Sequence, residues 1–249
     1  MSLWPVPADR AARLALAKSY PFWIPEHSYL YVDGKVWSLD GFDARDVTGR
    51  TPVLAVGSNQ SPDQLRRKFG GFATSLVIPV TRAWLADFDV VFATHVTRYG
   101  AIPGNLWPVP GMRVRLSINW VTQDQLTHMH ESEIAGENYV YARLPGIDLS
   151  IIDGPRLDSA FAYVSRHGAM NVDGKPAGLA ALAAEGRPHR ALDQAAALAR
   201  LRDEMAPAAD LDEFILQGVA DKDVRRQRTE FLRRAALPFH WPKLEIAER

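Results

Sequence analysis

Two short stretches hold residue types that can bind a ligand and move protons. The first is Gly57-Ser58-Asn59, followed by Gln60-Ser61-Pro62-Asp63-Gln64-Leu65. Apolar residues 53–56 run into it as a strand, and a helix start follows. Ser61 fits the N-cap and Pro62 the first helical position, where a missing N–H costs nothing. Gln64, three residues after Ser61, completes a capping-box pattern. Leu65 and Phe69 give that helix an inward face. A strand, a glycine loop and a helix N-terminus bring free N–H groups and the positive end of the helix dipole together, which suits an anion. Gly57 admits close approach to the backbone, and Ser58 and Asn59 add side-chain donors. The same residues suit an ordinary β–α turn in which Asn59 and Ser61 only satisfy backbone, so the motif leaves both uses open. The loop is neither a G-x-S-x-G elbow nor a Walker loop.

The second stretch runs from Trp120 to Leu144. Thr122 caps a short helix carrying Leu126 and Met129; Glu131, Glu133 and Glu137 follow, and 139–144 reads as a strand. A carboxylate at that junction acts as a general base if burial or a neighbouring carboxylate raises its pKa. Three solvated glutamates are the other reading of the same residues. His128 and His130 stand at i and i+2 and face apart on a helix, without the His-Glu-x-x-His spacing of a zinc helix. No metal site is expected.

The rest of the chain must supply the scaffold. Its 249 residues, 47% hydrophobic, are enough for a substantial core. The 29 basic and 29 acidic side chains cancel, which argues against a nucleic-acid partner. The absence of Cys excludes thiol nucleophiles, disulfides and Cys-ligated metals. No apolar run approaches the roughly 18–20 residues of a membrane span, and the start lacks a secretory pattern; a cytoplasmic location without membrane contact is expected. A helix is predicted over 9–18, an aromatic connector over 20–25, and a hairpin over 28–37 around Asp33-Gly34. Strands are predicted over 74–80, 89–94, 113–118, 139–144 and 160–164. From about residue 178 the chain turns Ala-, Leu- and Arg-rich. Leu192, Ala195, Ala199, Leu201 and Met205 share one helical face, Leu211, Phe214, Ile215 and Val219 another, with Pro207 between them and Pro238 at the end. Strands first and helices last point to α+β. The seven Trp residues (4, 23, 37, 84, 107, 120 and 241) are mostly core candidates, with pocket lining the other use open to Trp107. The Arg-rich run over 222–234 reads as a solvated helix face, and His167 and His240 show no partner pattern.

In order along the chain, Gly57-Ser58-Asn59, Tyr99-Gly100-Ala101-Ile102-Pro103-Gly104, a strand ending at Trp120, and Leu126, Met129, Glu133 with Tyr139 resemble the γ-glutamylcyclotransferase-like superfamily. Asp173-Gly174-Lys175 and Glu185-Gly186-Arg187 resemble later segments of bacterial members. The resemblance implies a small mixed β-barrel surrounded by helices, with a helical C-terminal region. It divides the chain into an N-terminal helix and hairpin extension (1–51), the barrel domain (52–190) and a helical extension packed on the same core (191–249). It implies an enzyme that cyclises a γ-glutamyl amine or peptide to 5-oxoproline and a free amine, without a cofactor. Glu133 is the implied general acid/base, with Glu131 competing, and Val56, Gly57, Ser58, Asn59, Gln60 and Tyr139 the implied substrate contacts. The alternative is a non-catalytic protein on the same fold that senses an amino-acid-like ligand. The family pattern often has Tyr before Gly-Ser-Asn and Leu after it; here Val56 and Gln60 stand there, and the Val leaves a hydroxyl missing.

Overall fold

The computed structural model describes residues 6–39, 41, 43–72, 75–134 and 137–248. A hairpin opens the sheet. Strands β1 (Tyr29–Val32) and β2 (Lys35–Ser38) turn at Asp33 and Gly34, whose φ angles are 45° and 85°. A two-residue hairpin turn with both central residues at positive φ follows the strand twist, as Asp-Gly predicted.

Five further strands close on themselves: β3 (Thr51–Ala55), β4 (Val77–Phe92), β5 (Gly104–Val121), β6 (Tyr139–Ile151) and β7 (Arg156–Ser165). Around the barrel the order is β5-β3-β7-β6-β4, and β4 pairs back onto β5. Neighbours are antiparallel except β3 and β7, which run parallel with Val53 opposite Phe161. The hairpin extends the sheet from β4, with Tyr29 opposite Val80. This is the α+β mixed barrel expected from the sequence.

Two of the predicted strands are one. Residues 77–80 and 89–92 belong to the single 16-residue strand β4. A bulge between Ala86 and Phe88 divides it, with Asp87 at φ 61°. Such a bulge breaks the alternation that sequence reading depends on. The predicted 113–118 strand grows to 18 residues because Pro108, Pro110 and Gly111, which read as loop punctuation, lie within β5 beside that bulge. A short strand, β8 (Glu245–Glu248), was not predicted; it pairs with β6.

Among the described residues six α-helices surround the barrel: α1 (Arg10–Lys18), α2 (Pro62–Phe69), α3 (Gln123–Glu133), α4 (Gln194–Met205), α5 (Leu211–Ala220) and α6 (Lys222–Arg234). Each starts on a side-chain cap: Asp9, Ser61, Thr122, Asp193, Asp210 and Asp221 accept from first-turn N–H groups. Among the described residues two apolar clusters form. One fills the barrel and continues under α1, α4, α5 and α6 through Ala17, Leu198, Leu201, Phe214, Ile215 and Leu232. The other lies between the outer sheet face and α2 and α3, through Tyr29, Tyr31, Leu65, Phe69, Ile78, Leu126 and Met129. No helix of the described residues is long and apolar enough to cross a membrane.

The Trp residues divide. Trp120 is buried, but Trp23 and Trp37 are 64% and 56% exposed, against expectation. Trp37 lies on β2, an edge strand whose four residues are all exposed. Trp84, Trp107 and Trp241 are half-buried, and Trp4 lies outside the described residues.

Candidate functional site

The Gly57–Asn59 loop leaves the end of β3 and enters a single 3₁₀ turn, Ser58–Gln60, before α2 begins. Gln60 N–H and Ser61 N–H close that turn on the Gly57 and Ser58 carbonyls at 3.2 and 2.8 Å. The Ser58 and Asn59 N–H groups take no part in that ladder. Ser61 caps α2 through Asp63 N–H at 3.3 Å. Gln64 lines the cavity instead of completing the expected capping box.

Helix α3 packs beside α2. Thr122 and Gln125 form a full capping box at its start, and the His128 ring lies against Phe69 at 5.3 Å with its Nε2 2.9 Å from the Lys68 carbonyl. This contact sets how far α3 slides along α2. Glu133, the last residue of α3, is thereby brought to Asn59 and Lys68. Its Oε1 accepts Asn59 Nδ2 at 2.8 Å and forms an ion pair with Lys68 Nζ. The two charged side chains are 18% and 3% exposed.

These groups wall a cavity of about 300 Å³. Its lining includes Val56, Gly57, Ser58 and Asn59 on one side, Glu133 and Lys68 on another, and Tyr20, His95, Tyr99 and Tyr139 around them. Burial alone would raise the Glu133 carboxyl; the charge of Lys68 and the hydrogen bonds from Lys68 and Asn59 outweigh it, and the group is held below the usual glutamate range. That reverses the raised pKa expected for a base. Asn59 Oδ1 is buried and has no partner among the described residues. An unpaired buried acceptor beside a buried carboxylate makes a receptive place for an N–H-rich cation.

The aromatic wall is pinned to backbone. Tyr20 Oη accepts Gly104 N–H at 2.7 Å, and Tyr139 Oη donates to the Gly104 carbonyl at 3.4 Å. Burial raises all three phenols, Tyr99 to about 12, Tyr20 further, and Tyr139 well above its ordinary value, so their hydroxyls keep their protons. His95 packs edge-on against Tyr139 at 5.4 Å. Burial, then the charge of Arg233, lowers its pKa to about 3, which leaves a neutral ring.

Gly57 has a tighter reason to be glycine than ligand access. A Cβ there would stand 1.9 Å from Tyr20 Oη. Tyr20 comes from the connector after α1, and places at Gly57 a hydroxyl that Val56 cannot offer. The 97–100 turn, which carries Tyr99, is braced from outside: Gly100 has φ 89°, and a Cβ there would lie 2.8 Å from Val219 of α5 and 3.4 Å from Ala17 of α1.

The structure brings Val56, Gly57, Ser58, Asn59, Glu133 and Tyr139 to one cavity. It does not bring Gln60 there. That side chain is fully buried on the other side of the loop, where its Oε1 accepts Arg82 at 2.7 Å and Ser117 at 3.3 Å. Glu131 is on the surface, half-exposed, with its carboxylate 3.5 Å from His128 Nδ1. The two histidines face apart, His130 meeting Tyr163 Oη at 2.9 Å. Among the described residues no cluster of three His, Asp or Glu side chains suits a metal. Sequence reading missed Lys68, His95 and the placement of Tyr20. Lys68 stands three residues after the inward-facing Leu65, a spacing that puts both on one helix face; nothing local marks His95 or Tyr20.

No protein-family model and no curated protein matches the sequence. Among solved structures, the fold is similar to a solution structure of an Arabidopsis thaliana protein, with 18% identity, 49% of this chain and 73% of that one covered, and a TM-score of 0.37. It is similar to a structure described as gamma-glutamyl cyclotransferase, with 13% identity, 78% of this chain and 91% of that one covered, and a TM-score of 0.39. An uncharacterized protein from Homo sapiens gives the same figures. These overlaps describe a partial likeness of fold and carry nothing about activity.

Proposed function

We propose that the protein is a γ-glutamylcyclotransferase-type enzyme that converts a γ-glutamyl amine or peptide to 5-oxoproline and the free amine. The observation that supports this reading is the buried Glu133–Lys68 pair, hydrogen-bonded to Asn59 on the wall of one cavity. A buried pair of opposite charges complements a zwitterion. The α-ammonium of a γ-glutamyl group meets the Glu133 carboxylate and Asn59 Oδ1; its α-carboxylate meets Lys68 and the start of α2.

In the reaction the ammonium gives a proton to Glu133, and the freed amine attacks its own γ-carbonyl. The new C–N bond closes the five-membered ring. The old amide C–N bond then breaks as Glu133 returns its proton to the leaving nitrogen; the ring nitrogen gives up its remaining extra proton through the same carboxylate to the departing amine, which leaves as an ammonium. No water is consumed. Ring closure within one molecule is already favoured by proximity. The protonated hydroxyls of Tyr20, Tyr99 and Tyr139 are candidate donors to the oxyanion.

One observation favours a second reading, a non-catalytic sensor of an amino-acid-like ligand: a carboxyl held below its usual range is a weak base. The two readings separate when a panel of γ-glutamyl amides and dipeptides is incubated with the protein and 5-oxoproline is measured. Release supports the enzyme. Saturable binding without release supports the sensor, and neither across the panel removes both.

A further inference from the structure

A second cavity, of about 530 Å³, opens between the ends of β6 and β7, the C-terminal end of α6 and the chain after it. Its apolar lining comes from Val140, Val164, Phe239, Leu244 and Ile246. Its polar lining is cationic or titratable to a cation: Arg166, His167 and Arg233, with Ser165 beside them. No carboxylate is among the lining residues. Glu137 and Glu230 lie near enough to act on Arg233, but neither lines the cavity.

The three basic side chains converge on one short segment. Arg166 Nε donates to the Tyr139 carbonyl at 3.2 Å, His167 Nε2 lies 3.2 Å from the Glu137 carbonyl, and an Arg233 amine donates to Asn138 Oδ1 at 2.9 Å. Arg233 Nε is buried and has no partner among the described residues. Bringing like charges together and stranding a guanidinium donor is unfavourable unless an anion completes the set. The repulsion is visible at His167, which burial, then Arg233, holds below its usual pKa. The opposite wall is apolar and carries an aromatic ring, Phe239, fixed edge-on against Trp107 at 6.1 Å.

We propose that this groove binds a small amphipathic carboxylate, its head on Arg233 and Arg166 and its aryl or alkyl body along Phe239, Leu244 and Ile246. Planar guanidinium groups pair with a carboxylate through two parallel hydrogen bonds, and an apolar groove with few polar groups holds the body. The site is distinct from the Glu133 cavity and does not depend on the reaction proposed there. It touches that cavity through residues 138 and 139, whose side chains line the first cavity while Arg233 and Arg166 hold their side chain and backbone.

The test uses the full chain and phenylbutanoate as the probe, titrated by calorimetry. Acetate tests the head alone, and phenylbutanol and phenylbutylamine test the body with no charge and with the opposite charge. Saturable binding of phenylbutanoate is expected, with the other three at least about tenfold weaker, the scale of one charge-assisted hydrogen bond. Arg233→Gln is expected to weaken binding by about tenfold or more for the same reason. Because Arg233 also holds Asn138, a second variant is needed: Ile246→Glu, at a position 47% exposed, places a like charge in the groove and is expected to abolish binding while melting stays unchanged. Equal binding of the acid and the amine, no saturable binding, or binding that survives Ile246→Glu would overturn the proposal.

Discussion

Glu133 is the residue on which the functional reading turns, and its surroundings make it unusual. It is buried, yet its carboxyl is held below the usual range by Lys68 and Asn59. Glu133→Gln keeps size and polarity but cannot exchange a proton. In 5-oxoproline assays it is expected to cost about 10²–10⁴-fold in rate, with ligand binding retained by the loop. Lys68→Met gives a sharper test. It leaves a buried carboxylate unpaired, at a cost of roughly 3–5 kcal/mol, and reverses the sign of the pH dependence. In the native protein the Glu133 pKa is depressed on folding, so its contribution to stability is present above the ordinary glutamate value and is lost as pH falls through the lower folded value. With Lys68 gone, burial raises the folded pKa instead, and stability rises as pH falls from neutral. Chemical denaturation across that range reads the difference, and the acid limb of the rate profile moves up with it. A Lys68→Met protein with an unchanged acid limb would show that Lys68 does not set the carboxylate. The sequence made Glu133 legible through its distance from Tyr139. It hid the depressed pKa, because the cation that sets it, Lys68, stands 65 residues away in the chain.

At the scale of elements, the loop between β3 and α2 was legible and its packing was not. Ser61 and Pro62 announce a helix start, and the helix is there. Gly57, however, is fixed by a tyrosine far away in sequence. Gly57→Ala is therefore expected to destabilise the fold and shift ligand binding by displacing the Tyr20 hydroxyl, not by blocking the cavity. Tyr20→Phe removes the atom 1.9 Å from the added methyl, although ring carbon Cζ remains at 3.0 Å. The double variant should accordingly recover part of the stability lost in Gly57→Ala, as a melting series would register. Additive losses would mean that the two residues do not meet. The long strands show the same divide: their apolar halves were readable, and the bulge at Asp87 that joins the halves of β4 was not.

Across the molecule, the α+β layout was readable because strand-like runs precede helical ones, and the barrel was legible through the family resemblance; its strand pairing was not, because β3 meets β7 across a long stretch of chain. Acid sensitivity is a property of this whole assembly. Neutral His95 is enclosed by the cavity, with a pKa of about 3 against an ordinary 6.5. Over that window the unfolded chain takes up a proton that the folded one refuses, so stability falls as pH drops from 6.5 toward about 3. His95→Phe keeps a ring against Tyr139 and removes the titration. Its stability should decline less steeply over the same range, and an unaltered slope would point to other groups.

The brace behind the 97–100 turn bears on when the cavity is finished as the chain is made. Tyr20 and α1 leave the ribosome well before α5, yet α1 pairs with α5 through Lys18 with Asp212 and Arg10 with Glu213. Val219 and Ile215 of α5 also close over Gly100. Until residues 211–220 have been synthesised, the segment that carries Tyr20 has no α5 surface to dock on and the turn that carries Tyr99 has no outer support. Domains commonly fold as units during synthesis, N-terminal parts first; here α1 must wait for α5, about 200 residues later. A nascent chain held before residue 211 would thus have β-structure without a binding-competent cavity, and ligand capture would report that translation had passed α5.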